Sequence, residues 1–241
     1  MIYGDKVGAA GSRVRRGPTL VEQVYEAICQ DLVTGRLAPG QRIVLDRLAA
    51  ELGTSPTPVR EALARLTQEG LITAGPNGRL QVVDLTPQYV LDIFLVRATL
   101  EGLAAELAAT RMDGQVLGHL QEVLAEATLT LAEGRYDLYA RADALLHRAV
   151  AEAAGNQVLN RNLKMLWVHV DFIRGYSHRT AGEHLRASHA EHLEIVAALA
   201  SRDPAGARRA MEEHIRGAGR RIAQLIDFVG RTSRLLPDGE T

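Results

Sequence analysis

Residues 47–84, RLAAELGTSPTPVREALARLTQEGLITAGPNGRLQVVD, restrict the possible folds of this chain more than any other stretch. They read as two short helices, a tight turn between them, and then a β-hairpin. The first helix spans roughly Asp46 to Leu52 and stops at Gly53, a residue suited to the left-handed conformation just past a helix end. Thr54 or Ser55 can cap the next helix, with Pro56 at its first position, where a missing N–H costs nothing. Along that helix Val59, Ala62, Leu63 and Leu66 recur at i, i+3, i+4 and i+7, which predicts one buried stripe. Thr57, Arg60, Glu61, Ala64, Arg65 and Gln68 occupy the opposite face, and the small Ala64 lets a partner approach its middle closely. Beyond Gly70, the runs LIT and RLQVV flank Pro76-Asn77-Gly78, and Asn-Gly is a strong hairpin signal. This order is that of a winged helix-turn-helix. In such a module the second helix enters the major groove by its N-terminal turn, so Arg60 would reach a base edge or phosphate and Thr57 a phosphate or thymine methyl. The hairpin tip at Gly78 would lie along the backbone or minor groove.

The segment before it completes the module. A helix from Thr19 to about Thr34 has Val21, Val24, Ile28 and Leu32 on its inner face, and a short strand is expected around Gln41–Val44. Residues 18–84 thus form one domain, preceded by an arm at 1–17 that holds Arg13, Arg15 and Arg16. Electrostatics alone would not suggest nucleic acid. Up to Asp84 there are 10 Lys+Arg against 9 Asp+Glu, and beyond it 18 against 20. The basic groups matter by placement rather than number. The single Cys29 excludes a disulfide framework and suggests a reducing cytoplasm. No run is long enough for a transmembrane span, and no signal-peptide core is evident.

From Thr86-Pro87 onward the pattern is helical and rich in Ala and Leu. Helices are expected from Thr86 to Thr110, Asp113 to Glu133 and Tyr136 to Ala154, and from Asn156 past Trp167. A looser stretch at Gly175–Gly182 precedes two more, about Glu183–Ser201 and Asp203–Val229, with a tail at 231–241. The fold class is therefore mainly α: an N-terminal winged helix-turn-helix followed, over 86–230, by an all-α antiparallel helical bundle.

Three of these helices carry ligand-type residues on apolar faces. Asp143 and His147 stand one turn apart beside Tyr139, Ala142, Leu146 and Val150. His189 and His192 lie with Leu185, Val196 and Leu199, and His214 with Ala207, Met211, Ala218, Ile222 and Leu225. A carboxylate with imidazoles suits Zn²⁺, Ni²⁺, Mn²⁺ or Fe²⁺ rather than Ca²⁺. The plainer reading of any one histidine here is a hydrogen-bonded core residue. His119, His169, His178 and His184 have no other claim, and His189 lacks a matched partner and reads as a packing residue.

Two resemblances sharpen this reading. Ser55, Thr57, Pro58, Val59, Arg60, Glu61, Ala62 and Leu63, then Leu66, Glu69, Gly70 and Leu71, resemble the signature S-R-T-P-V-R-E-A-L…L-x-x-E-G-L of the GntR-type transcriptional regulators. Pro56 stands where that family usually has Arg, and Leu45-Asp46 where it has a Glu-Arg pair, so two DNA contacts are missing and Arg47 is the candidate substitute. The DNA-facing set implied is Arg47, Ser55, Thr57, Arg60 and Arg65, with Asn77 and Gly78 at the wing. The second part resembles the FCD effector domain of the FadR-like subfamily, with its D-x-x-x-H, a later His, and D-x-x-x-A-x-x-x-M-x-x-H. Here those are Asp143 and His147, His192, and Asp203, Ala207, Met211 and His214. The resemblance implies one divalent transition metal on Asp143, His147, His192 and His214. Arg97, four residues before Glu101 on a face with Val90 and Phe94, is either a bidentate clamp for a carboxylate effector or half of a helical ion pair.

These readings imply a ligand-responsive repressor that acts as a homodimer on double-stranded DNA with a palindromic operator, senses a small organic acid, and has no membrane partner. The alternative from another class is a metal-dependent hydrolase fused to a DNA-binding module. That reading needs a general base near a metal-bound water; Glu183, Glu191 and Glu194 are near in sequence, but no H-E-x-x-H motif supplies one. A third option is a structural metal, or none, in a cavity that recognises its ligand through polar side chains alone.

Overall fold

Thr19 starts the first helix with a reciprocal cap. Its hydroxyl accepts the Glu22 N–H at 3.2 Å, and the Glu22 carboxylate accepts the Thr19 N–H at 2.6 Å. The computed structural model describes residues 18–75, 78–177 and 182–235, so the 1–17 arm, Asn77 and His178 lie outside the described residues. After α1 (Leu20–Val33) come β1 (Arg42–Ile43), α2 (Leu45–Glu51), α3 (Pro56–Glu69), β2 (Ile72–Ala74) and β3 (Leu80–Val82). The strands pair antiparallel in the order β1-β3-β2, with Ile43 opposite Leu80 and Thr73 opposite Gln81. Ser55 is the N-cap of α3, although its side chain makes no capping bond, and Gly70 ends the helix at φ 85° in the left-handed region. The stripe read from sequence is buried: Val59, Ala62, Leu63 and Leu66 pack with Ile28, Leu32, Leu71 and Val82.

The bundle follows as α4 (Pro87–Arg111), α5 (Gly114–Ala132), α6 (Asp137–Ala153), α7 (Gln157–Ser177), α8 (Gly182–Ala200) and α9 (Pro204–Leu235). Side-chain caps fix three of the starts: Thr86 accepts from Tyr89 N, Asp113 from Gln115 N, and Asn156 from Val158 N and Leu159 N. Small buried residues on α4, among them Ala98, Ala104, Ala105 and Ala108, let α9 lie close along it. Phe94, Leu120, Leu146, Leu163, Ile195 and Ile215 fill the common core.

Two boundaries differ from the sequence reading. The stretch from Gly175 begins as helix, because α7 runs on through Gly175 to Ser177. A methyl group at Gly175 would lie 2.0 Å from the Val33 carbonyl oxygen of α1, so this glycine admits the backbone of a neighbouring helix and does not break its own. Likewise α9 continues to Leu235, taking in the first residues of the expected tail. Gly230 costs a helix only about 1 kcal/mol, so it need not end one.

α7 belongs to both cores. Phe172 and Val168 sit in the hydrophobic cluster of the winged module, while Leu163, Val170 and Ile173 sit in that of the bundle. Beside Phe172, His169 Nε2 bonds the Glu69 carbonyl oxygen at 2.8 Å, and its Nδ1 meets the Tyr89 hydroxyl at 2.6 Å. A carbonyl only accepts, so Nε2 carries the hydrogen and Nδ1 accepts from Tyr89. Burial pushes the His169 pKa down, which favours this neutral form. The residue thereby satisfies one of the carbonyls that the end of α3 leaves open.

Gly175→Ala separates two effects of opposite sign. Helix propensity alone would stabilise the protein by about 1 kcal/mol. Overpacking against α1 should dominate, so urea denaturation should show a net loss of about 1–3 kcal/mol. A variant at least as stable as the wild type would contradict the close α1–α7 contact.

Candidate metal centre and DNA-facing surface

Asp143 and His147 project from α6, His192 from α8 and His214 from α9, and all four are buried. One ligand-type atom from each residue lies within 4.8 Å of the others. His192 Nε2 is 3.2 Å from His214 Nε2 and 3.4 Å from Asp143 Oδ1, and His147 Nε2 is 3.6 Å from the same oxygen. Ligands bound to one metal ion at about 2.0–2.2 Å stand roughly 3–3.5 Å apart, so the spacing fits a shared ion. Asp143 Oδ1 and His147 Nε2 are buried without a hydrogen-bond partner. Buried polar atoms are seldom left so, and a cation is the partner that satisfies a carboxylate oxygen and imidazole lone pairs together.

The groups behind these ligands aim them. Glu101 of α4 pairs through Oε2 with His147 Nδ1, while its Oε1 accepts from Arg97 Nε at 2.5 Å and Trp167 Nε1 at 3.1 Å. Glu191 accepts from His214 Nδ1 at 2.9 Å and is held by Arg221 at 2.7 and 2.8 Å. With each Nδ1 on a carboxylate, each Nε2 is left as a bare acceptor facing inward. Arg174 NH1 holds the other Asp143 oxygen at 2.6 Å.

The ionisation states agree with this arrangement. Burial, aided by the nearby His192, pushes His214 down to about 3, and burial also lowers His192, so both imidazoles are neutral ligands at neutral pH. Burial opposes the charge on Asp143, but Arg174 and the imidazoles outweigh it and hold the carboxyl well below its ordinary range. Burial also disfavours a charged His147, but Glu101 outweighs it and raises the pKa, so a proton competes with an ion for His147 Nε2.

A cavity of about 330 Å³ opens beside the cluster, lined by Tyr139, Asp143, Arg174, His214, Arg221 and Leu225 among others. A gap of about 50 Å³ on another side is lined by Arg97, His147, Trp167 and Arg174. Arg97 therefore faces the small gap. Its Nε is on Glu101, its buried NH1 has no partner, and the guanidiniums of the larger cavity are those of Arg174 and Arg221. Sequence reasoning took Glu101 for half of a helical pair and passed over Arg174 and Arg221. It weighed Glu191 as a hydrolytic base, but that carboxylate is engaged by His214 and Arg221. His189 is a packing residue, bonded to Thr128 and edge-on to Tyr139.

On the winged module Ser55, Thr57 and Arg60 are exposed at the N-terminal turns of α3, with Glu61, Ala64 and Gln68 on the same open face. Arg47 is exposed on α2 and paired with Glu51 at 2.8 Å. Arg65 lies toward the other end of α3, bonded to Glu69 at 2.9 Å and stacked 3.7 Å over the Tyr25 ring. Gly78 has φ 68° between the hairpin strands.

Comparison with known proteins agrees with both halves. Residues 20–82 match the family model described as "Bacterial regulatory proteins, gntR family", and residues 92–217 match "FCD domain". The chain is 32% identical over 210 residues, 86% of this chain and 90% of the other, to a Paenarthrobacter nicotinovorans protein named "Probable D-xylose utilization operon transcriptional repressor". It is 28% identical over 196 residues, 81% of this chain and 89% of the other, to "HTH-type transcriptional regulator McbR" of Escherichia coli (strain K12). The solved structure "E. coli McbR/YncC" matches with a TM-score of 0.69 at 27% identity, covering 88% of this chain and 99% of that one. These relatives are transcriptional regulators, not enzymes. No helix among the described residues is long and apolar enough to cross a membrane.

Glu101→Gln leaves all four ligands in place but weakens the hold on His147. Competition with a chromophoric chelator should show a loss of roughly 10–100-fold in metal affinity. Unchanged affinity would mean that Glu101 does not orient the site.

Proposed function

The chain belongs to the gntR family of bacterial regulatory proteins and carries an FCD domain, and from that premise we propose a repressor that senses a small organic acid at a metal-containing site in its bundle. It is a DNA-binding transcriptional regulator. The observation that carries the finer reading is the convergence of Asp143, His147, His192 and His214, with two partnerless donor atoms, beside a cavity that holds Arg174 and Arg221.

Residues 18–84 are the DNA-reading unit and residues 86–230 the sensing unit. Asp143, His147, His192 and His214 hold one divalent ion, of Zn²⁺, Ni²⁺, Mn²⁺ or Fe²⁺ type. When bound, such an ion supplies Lewis-acid attraction for a carboxylate. Arg174 and Arg221 place positive charge on the wall that such a carboxylate would face, while Tyr139, Leu185, Ile222 and Leu225 give the remainder of the effector an apolar wall. Arg97 supports the site from behind through Glu101. Two copies related by a two-fold axis present two α3 helices to the half-sites of a palindromic operator, with Arg47, Ser55, Thr57 and Arg60 toward the DNA and Asn77 and Gly78 at the wing. The effector shifts DNA affinity only as far as it binds the DNA-competent and DNA-incompetent states unequally.

Anisotropy titration against the chain's own upstream DNA tests the reading. Arg60→Ala should weaken binding by about 1–3 kcal/mol without changing the melting temperature, since Arg60 is exposed. Organic acids that shift the wild-type titration should lose that effect after chelator treatment. Wild-type affinity in Arg60→Ala would refute the groove geometry, and an undiminished acid response after chelation would remove the metal from the switch.

A further inference from the structure

The site residues and the DNA-binding module meet on one helix. On α7, Trp167, Val170, Asp171 and Arg174 line the gap beside the metal cluster. Trp167 Nε1 donates to Glu101, the carboxylate that holds His147, and Arg174 donates to Asp143 itself. These positions recur at i, i+3, i+4 and i+7, which is one face of a helix. Val168, Phe172 and Gly175, at i, i+4 and i+7, form another face of the helix, with His169 beside Val168. Phe172 and Val168 are embedded in the winged module's core, and Gly175 lies against the α1 backbone at Val33. His169 bonds the Glu69 carbonyl at the end of the recognition helix, and Tyr89 holds it there from α4.

We infer that α7 is the lever between sensing and DNA reading, with Trp167 and Arg174 as its input and His169, held by Tyr89, as the positioning residue for α3. This inference rests on the metal reading above and extends it. An ion in the cluster fixes Asp143 and His147, and through Arg174, Glu101 and Trp167 it fixes the rotation and height of α7. A packed helix moves or stiffens as a unit, so its other face transmits that restraint to Phe172 and to the last carbonyl of α3. Without the ion, Arg174 and Trp167 of α7 are tethered to a pair whose inner atoms, Asp143 Oδ1 and His147 Nε2, lack partners, and the hold on α3 loosens. The recognition helix has no basic residue in its last turn, and His169 supplies a donor to its last carbonyl from outside the helix.

Hydrogen exchange with mass spectrometry on the full-length protein, chelator-treated and then given one equivalent of Zn²⁺, separates the two claims. In the wild type, Zn²⁺ should slow exchange in peptides around His147 and His192 and also in residues 60–71, by at least about threefold in the latter. Tyr89→Phe, which keeps the ring and removes only the hydroxyl, and His169→Ala should retain the bundle response but lose most of the response in 60–71. Protection confined to the bundle in the wild type would overturn the lever while leaving the metal reading intact. Wild-type responses in 60–71 in both variants would overturn the role of His169. No Zn²⁺ response anywhere would overturn both readings.

Discussion

Oδ1 of Asp143 and Nε2 of His147 lie at the centre of an apolar helical bundle with no hydrogen-bond partner, next to the Nε2 atoms of His192 and His214. Leaving one such group unsatisfied costs about 1–3 kcal/mol, and more when it is charged. The surrounding structure is organised around that cost. Carboxylates from α4 and α8 fix the outer nitrogens of two imidazoles, and guanidiniums from α4, α7 and α9 fix the carboxylates in turn. Five helices are thus registered against one another by a polar network inside an alanine-rich core. Alanines bring helices close but specify their rotation poorly, so the network supplies the specificity that packing alone does not.

The same network reaches the DNA-binding half because α7 is shared. A helix of 21 residues presents a face to the buried Asp143, His147, His192 and His214 cluster and another to the winged module. The close approach of α1 at Gly175 and the insertion of Phe172 make the junction a packed core rather than a loose contact between domains. A continuous, tightly packed element of this kind can carry coupling between sites.

What could be read from the sequence was whatever local chemistry determines. The caps at Thr19, Thr86, Asp113 and Asn156, the left-handed Gly53 after α2 and the stripe on α3 depend on residues a few positions apart, and each is found as expected. The i, i+4 pair Asp143 and His147 was visible for the same reason, and resemblance to a known family selected His192 and His214 from the eight histidines. The roles of other residues depend on contacts distant in sequence. His169 is the buried, hydrogen-bonded histidine that the plain reading expects, but its partners Tyr89 and Glu69 lie 80 and 100 residues away and no local pattern names them. For Arg97 and Glu101 the sequence leaves an effector clamp and a helical ion pair equally open, because the contacts to His147 and Trp167 that place Glu101 behind the cluster are distant in sequence. Gly175 was taken for the start of a loose stretch because a glycine that breaks a helix and one that admits a neighbour are identical in sequence.

Metal content is the most direct measure of the central claim. Elemental analysis of wild-type protein purified without chelator should find close to one transition-metal ion per chain. The same analysis of His214→Ala should find most of it gone while the winged module remains folded. A wild-type protein with no bound metal that gains no thermal stability when Zn²⁺, Ni²⁺, Mn²⁺ or Fe²⁺ is added would contradict the account, because the partnerless donor atoms would then have to be satisfied in some other way.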